Sequence, residues 1–311
     1  MFNARKINKA FYAFISMKIE VIDFLIILTL IWILAAIYKD FRKREIPNWL
    51  NFSLLIFALA FRLFYSIFTN NYGFILWGLA GFAIFFVLAN LFYYGRLFAG
   101  GDAKLMMSLG AIVPFTNSWF DNLLIGMLFV MSLLLFGAIY STFYSVGLAF
   151  GNLDKFSKDF KRRIYDNKLY VMLDFSVLIL FVIFGLFIKE SLIFLVGGIL
   201  FTLPFIYYYT KSVEQSCLIE YTSYKDLTPG DWLAKEIKFK VRVNGENKIK
   251  IIKPDWEGLN EEDIKLIKKH YRKNILIKQG IPFSPAFLLA LIVLILIKYL
   301  WASDWGLWQF F

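Results

Sequence analysis

A chain of 311 residues, 59% of them hydrophobic and 20% aromatic, cannot fold as a water-soluble domain, because no interior of that size hides so much apolar surface. A single cysteine, Cys217, and a single histidine, His270, exclude a disulfide framework and any Cys/His metal cluster built within one chain. The net charge of +11 points to loops that face anionic lipid rather than to a nucleic-acid partner.

Residues 1–21 read as an N-terminal extension carrying Arg5, Lys6, Lys9 and Lys18. The start of the natural chain is either Met1 or Met17, which opens "MKIEVIDFLIILTL". The apolar run that follows is long enough to stay in a membrane rather than be removed as a signal peptide. Spans of roughly 20 apolar residues are predicted at 22–38, 50–68, 74–94, 103–115, 123–150, 171–188, 191–209 and 284–301. The fold class is therefore an all-α polytopic membrane protein of about eight transmembrane helices. The fourth span is too short to cross upright by itself, and the fifth is long enough to tilt or to leave the membrane.

Basic residues sort the loops. "KDFRKRE" (residues 39–45) carries four, residues 151–168 carry six and residues 211–278 carry fifteen, whereas the alternate loops carry only Lys189. The basic set is expected in the cytoplasm. The polar stretch 210–280 reads as a small cytoplasmic α+β insert. "IKFKVRVNGENKIKIIK" alternates about Asn244-Gly245 as a hairpin does. "NEEDIKLIKKHYRKN" follows as a helix with Asn260 as N-cap. The expected organisation is an extension at 1–21, a membrane core at 22–150, a basic loop with two further spans at 151–209, the insert at 210–280, and a last span with an outer C-terminus at 281–311. His270 lies in the charged insert and reads as a surface or structural side chain. Arg62, deep in the second span, should face the bundle interior or snorkel, in a structural role. Asp23 and Asp174 read as interfacial, and Trp301, Trp305 and Trp308 as an aromatic belt.

Two acids stand apart from these. Asp40 closes the first span and Asp102 opens the fourth, and the intervening hairpin of two spans returns both to one side of the membrane. Carboxylates at a membrane boundary are costly unless they face water or a partner, and two close together share a proton. Such a pair suits peptide hydrolysis: the ionised acid deprotonates a water, and the protonated acid hydrogen-bonds the carbonyl and later protonates the leaving amine. Gly100 and Gly101, directly before Asp102, would give a substrate backbone clearance. Pro47 gives the second span a rigid start.

The segments around the pair, "DFRKREIPN" (residues 40–48) and "AGGDAKLMMSLGAIVP" (residues 99–114), resemble the motifs of the aspartic prepilin peptidases, the GxGD membrane proteases, and most of all their archaeal branch. The resemblance covers residues 22–114 well, and the later strings "DLTPGDWL" and "GIPFSPAFLLAL" more loosely. It implies that Asp40 and Asp102 are the catalytic pair. It also implies that pilin-like or flagellin (archaellin) precursors are the substrates, that membrane lipids are the surroundings, and that the active site lies at the cytoplasmic face of the plasma membrane. No cofactor, metal or nucleic acid is implied. Ala99 stands where the family has the first glycine of GxGD. The bacterial methylating domain with paired Cys-x-x-Cys has no counterpart in the sequence, so methylation of the new N-terminus is not expected. Two alternatives remain. One is a presenilin-like intramembrane aspartic protease, which would carry Pro-Ala-Leu where this chain has "SPAF". The other is a transporter using Asp40 and Asp102 as a proton relay, which would need neither Ile-Pro-Asn nor the double glycine.

Overall fold

The computed structural model describes residues 21–243 and 246–302. The N-terminal extension, the Asn244-Gly245 turn and the side chains of the tryptophan belt lie outside the described residues. The helical elements begin with α1 (Val21–Lys43), α2 (Asn48–Thr69), α3 (Gly73–Tyr94), α4 (Gly100–Gly110) and α5 (Trp119–Gly151). They continue with α6 (Leu153–Asp166), α7 (Lys168–Ile188) and α8 (Ser191–Cys217). Strands β1 (Ile219–Thr222), β2 (Trp232–Leu233), β3 (Ile237–Val243) and β4 (Glu246–Ile252) lead to α9 (Glu261–His270), β5 (Ile275–Lys278) and α10 (Ser284–Ala302). Among the described residues, six helices are long and apolar enough to cross a membrane: α1, α2, α3, α5, α7 and α8; the apolar stretch Ser284–Lys298 of α10 is shorter. The protein is a multi-pass helical membrane protein with a small strand-containing region.

The chain divides into two compact units, residues 1–142 with 281–311, and residues 143–280. The division falls within α5, and the last helix belongs with the first four. In the first unit, Pro47 at φ −65° sets α2 going, and Asn70 in the left-handed region ends it, its N–H bonding back to the last turn. Gly81 of α3 and Gly110 of α4 meet backbone to backbone, since a Cβ on Gly81 would fall 2.3 Å from the Gly110 carbonyl oxygen. The core between the helices is built from Ile33, Leu54, Met106, Leu109, Phe129 and Phe287.

The short fourth span is a half-helix of 11 residues. Backbone N–H groups of Ala111, Ile112 and Val113 close the last turn on Ser108 and Leu109, but the carbonyls of the segment that follows lie among apolar side chains, where they have no water to bond. Arg62 supplies the donors. It is fully buried and bonds the carbonyl oxygens of Ile112 (3.2 Å), Pro114 (2.7 Å) and, at the start of α3, Phe74 (2.8 Å). Its guanidinium also stacks over the Phe74 ring, 4.4 Å from the centroid. Gly78 makes the room, because a Cβ there would lie 2.4 Å from Arg62 Cδ. The loop beyond is closed by Asn122, whose Oδ1 accepts the N–H groups of Phe115 and Thr116, both at 3.0 Å. Arg62 thus takes the interior, structural place expected for it. Asp23 also turns into the bundle. It is buried in the first turn of α1 and ion-paired with Lys298 of α10, because a carboxylate facing the bundle needs an opposite charge.

In the second unit, α6 is a basic amphipathic helix between the two long apolar helices α5 and α7. Beyond α8 come the three-stranded sheet β1-β5-β2 and the separate ribbon β3-β4, all antiparallel. The ribbon pairs Val243 with Glu246, which leaves the two-residue connection that Asn-Gly signals. Ile237, Phe239 and Ile252 face a core with Ile264, Ile267 and Ile275, and Lys238 and Lys240, alternating with them in β3, are exposed. Asn260 caps α9, its Oδ1 accepting the Asp263 N–H at 2.7 Å.

Candidate active site

Asp40 stands on the last turn of α1, and Asp102 is the third residue of α4. Both are buried, 6% and 8% exposed. The charge of Asp40 is felt at Asp102, so the carboxylates, 62 positions apart in sequence, stand within electrostatic reach of each other. Arg44, one turn beyond Asp40, also lies within electrostatic reach of it.

The two motifs pack on one another. Gly101 lies against Ile46, and a Cβ there would fall 3.3 Å from Ile46 Cβ. Asn51, fully buried on α2, donates from Nδ2 to the Gly101 carbonyl at 3.2 Å. The hydroxyl of Ser108 donates to the Asn51 carbonyl at 2.8 Å, and Lys104 Nζ donates to Asn48 Oδ1 at 2.7 Å. Ile-Pro-Asn therefore forms the wall that fixes the first turn of α4. At that turn the unsatisfied N–H groups and positive helix end favour an acid, and the Ala99 N–H faces the Asp102 carboxylate.

Ile46 of the chain itself lies beside the space left by Gly101, and Gly100 stands in the more open place. A Cβ on Gly100 would meet only Tyr93 Cε2, at an ordinary contact distance of 3.6 Å.

The sequence did not point to Ser284. Its backbone N–H and its hydroxyl both donate to Asp40 Oδ2, at 3.1 and 2.7 Å. Phe283 and Phe287 beside it pack on Phe98, with ring centroids 5.3 and 6.0 Å away, and Phe98 immediately precedes the Ala99–Asp102 motif. The signals available were the looser family likeness of "GIPFSPAFLLAL" and Ser-Pro before an apolar run, which marks a helix start; neither names the partner of Ser284. Among the described residues, no three His, Cys, Asp or Glu side chains stand together as a metal would require.

A buried aspartate pair thus stands at the junction of helices, one of them a half-helix, in a polytopic membrane protein. Residues 27–146, which include both aspartates, match the family model described as "Type IV leader peptidase family". Three proteins named preflagellin peptidase are similar to the chain. The one from Methanococcus maripaludis is 33% identical over 82 residues, 26% of this chain and 35% of that protein. Those from Methanocaldococcus jannaschii and Methanococcus voltae are 33% and 29% identical over 85 residues, in each case 27% of this chain and 36% of the relative. The chain thus spans about a third of the length of the curated relatives it matches. No solved structure matches it. The likeness to the type IV leader peptidase family thus lies in residues 27–146.

Proposed function

We propose that the protein is an aspartic endopeptidase that removes the leader peptide from preflagellin or type IV pilin-like precursors at the cytoplasmic face of the cell membrane. The observation that carries this reading is the convergence of Asp40 and Asp102, buried and electrostatically coupled, within the segment that matches the leader peptidase family. The names of the relatives favour a preflagellin as substrate. The basic loops at residues 39–45 and 151–168 support the cytoplasmic orientation.

The chemistry needs one carboxylate and one carboxylic acid. The carboxylate takes a proton from a water while its oxygen attacks the scissile carbonyl carbon, and the carboxylic acid donates a hydrogen bond to the carbonyl oxygen as it becomes negative. The tetrahedral adduct then collapses. The C–N bond breaks, the amine leaves with a proton from the acid that took it up, and the new carboxyl group departs with the leader. Gly100 is where an extended backbone could come close. The test is to incubate membranes containing the protein with an archaeal preflagellin and read the new N-terminus by mass spectrometry, alongside Asp40→Asn and Asp102→Asn. Cleavage at the leader boundary by the wild type, lost in both variants, is the expected result; an Asn variant that cuts at the wild-type rate would refute the mechanism.

A further inference from the structure

Ser284 belongs to neither motif, yet it makes two hydrogen bonds to one oxygen of Asp40. The two residues are 244 positions apart in sequence. Its surroundings separate a service to Asp40 from ordinary helix capping. A capping serine accepts from an N–H two or three residues on. This hydroxyl instead donates out of its own helix. The first turn of α10 does not need it: Pro285 has no N–H to satisfy, and the Ala286 N–H bonds the Phe283 carbonyl at 3.0 Å. Ser284 is fully buried, and the N-terminus of a helix, with its unsatisfied donors, is a natural seat for a carboxylate.

We propose that Ser284 is the positioning residue of the aspartate pair, its hydroxyl and backbone N–H fixing Asp40 Oδ2 so that Asp40 serves as the base for the attacking water. Two donors on Oδ2 fill its lone pairs and favour the charged carboxylate. Oδ1 keeps lone pairs for a water proton, although the Phe283 N–H also faces the carboxylate. The same turn of α10 holds the neighbouring motif through the contacts of Phe283 and Phe287 with Phe98. One helix start therefore sets both carboxylates in register. The assignment rests on the peptidase reading above.

The test compares wild type, Ser284→Ala, Ser284→Thr and Asp40→Asn in proteoliposomes with an archaeal preflagellin, measuring kcat, KM and thermal unfolding. Ser284→Ala keeps the backbone N–H but loses the hydroxyl. It should lower kcat roughly 10- to 100-fold, the scale of a misplaced reacting group, with KM within about twofold. Ser284→Thr restores the donor and should recover most of kcat. The unfolding temperatures of the Ala and Thr variants should agree while their kcat values differ. A Ser284→Ala variant with wild-type kcat overturns the proposal. So does a loss of kcat that Ser284→Thr leaves unrestored, or one that tracks a fall in unfolding temperature. Wild-type protein that does not cut, or Asp40→Asn that cuts normally, refutes the peptidase reading itself, which is a different result from an indifferent Ser284.

Discussion

Replacing Arg62 by methionine is the severest test of how the half-helix α4 survives in an apolar layer. The side chains are similar in length, so the change removes the donors with little loss of volume. Three carbonyl oxygens, of Phe74, Ile112 and Pro114, lose their partner. A buried acceptor left unsatisfied costs about 1–3 kcal/mol, which for three gives about 3–9 kcal/mol. Relief of the buried guanidinium's desolvation offsets part of this, and so does any water that enters. The expected net destabilisation is at the lower end, about 3 kcal/mol, a large share of the margin of a typical protein. Loss of the negative-end counter-charge should also loosen the far end of α4, roughly 12 Å from Asp102 at 1.5 Å per residue. Unfolding followed by tryptophan fluorescence in detergent, with heat or added denaturing surfactant, reads the stability. Cleavage of a preflagellin reads the register of the site. An Arg62→Met protein as stable as the wild type would show that other groups satisfy these carbonyls, and the account of α4 would fall.

Gly78→Ala should act through the same arginine, since the new methyl would fall 2.4 Å from Arg62 Cδ; expression with wild-type unfolding temperature would contradict this. Gly101→Val should destabilise the protein as well as stop processing, by about 1–3 kcal/mol of overpacking against Ile46. Gly100→Ala should leave the unfolding temperature unchanged but slow cleavage, and the opposite pattern would reverse the roles given to the two glycines. Burial raises the Asp231 carboxyl above its ordinary range despite the Thr228 N–H it accepts at 2.7 Å. The folded insert therefore binds that proton more tightly than the unfolded chain does. Its contribution is most favourable at low pH and declines as pH rises through the raised value. Asp231→Asn keeps the acceptor and should flatten that slope, as read by unfolding temperature between about pH 4 and about pH 7. Tags at Lys155 and Asn247 should be protected in intact cells, and exposure of the Asn247 tag would invert the orientation.

The parts of the architecture governed by local rules were legible. Apolar runs bounded by charge gave the long helices, Pro47 the start of α2, Asn260 the cap of α9 and Asn244-Gly245 the connection of the ribbon. The aspartate pair was legible because hairpin counting returns Asp40 and Asp102 to the same side. Partners distant in sequence were not. Asp23 finds Lys298 and Asp40 finds Ser284 across almost the whole chain, and no periodicity reports such a meeting. The end of α4 was also misjudged. Its apolar pattern continues to Phe115 while the helix stops at Gly110, because hydropathy does not register where backbone bonds pass from the helix to Arg62. The purpose of Gly101 depended on what occupies the space beside it, and that belongs to tertiary packing.

The seam between α1 and α10 is stapled twice, by Asp23 with Lys298 at one end and by Asp40 with Ser284 at the other. Seventeen residues of α1, about 25 Å of helix, separate the staples. Two antiparallel rods fastened near both ends cannot slide or part without breaking an ion pair inside an apolar layer. This edge of the bundle is therefore a hinge post rather than a door. Under the proposed function, a precursor whose apolar helix stays in the bilayer would approach the aspartates by another edge, and cross-links from its helix should map to helices other than the facing sides of α1 and α10.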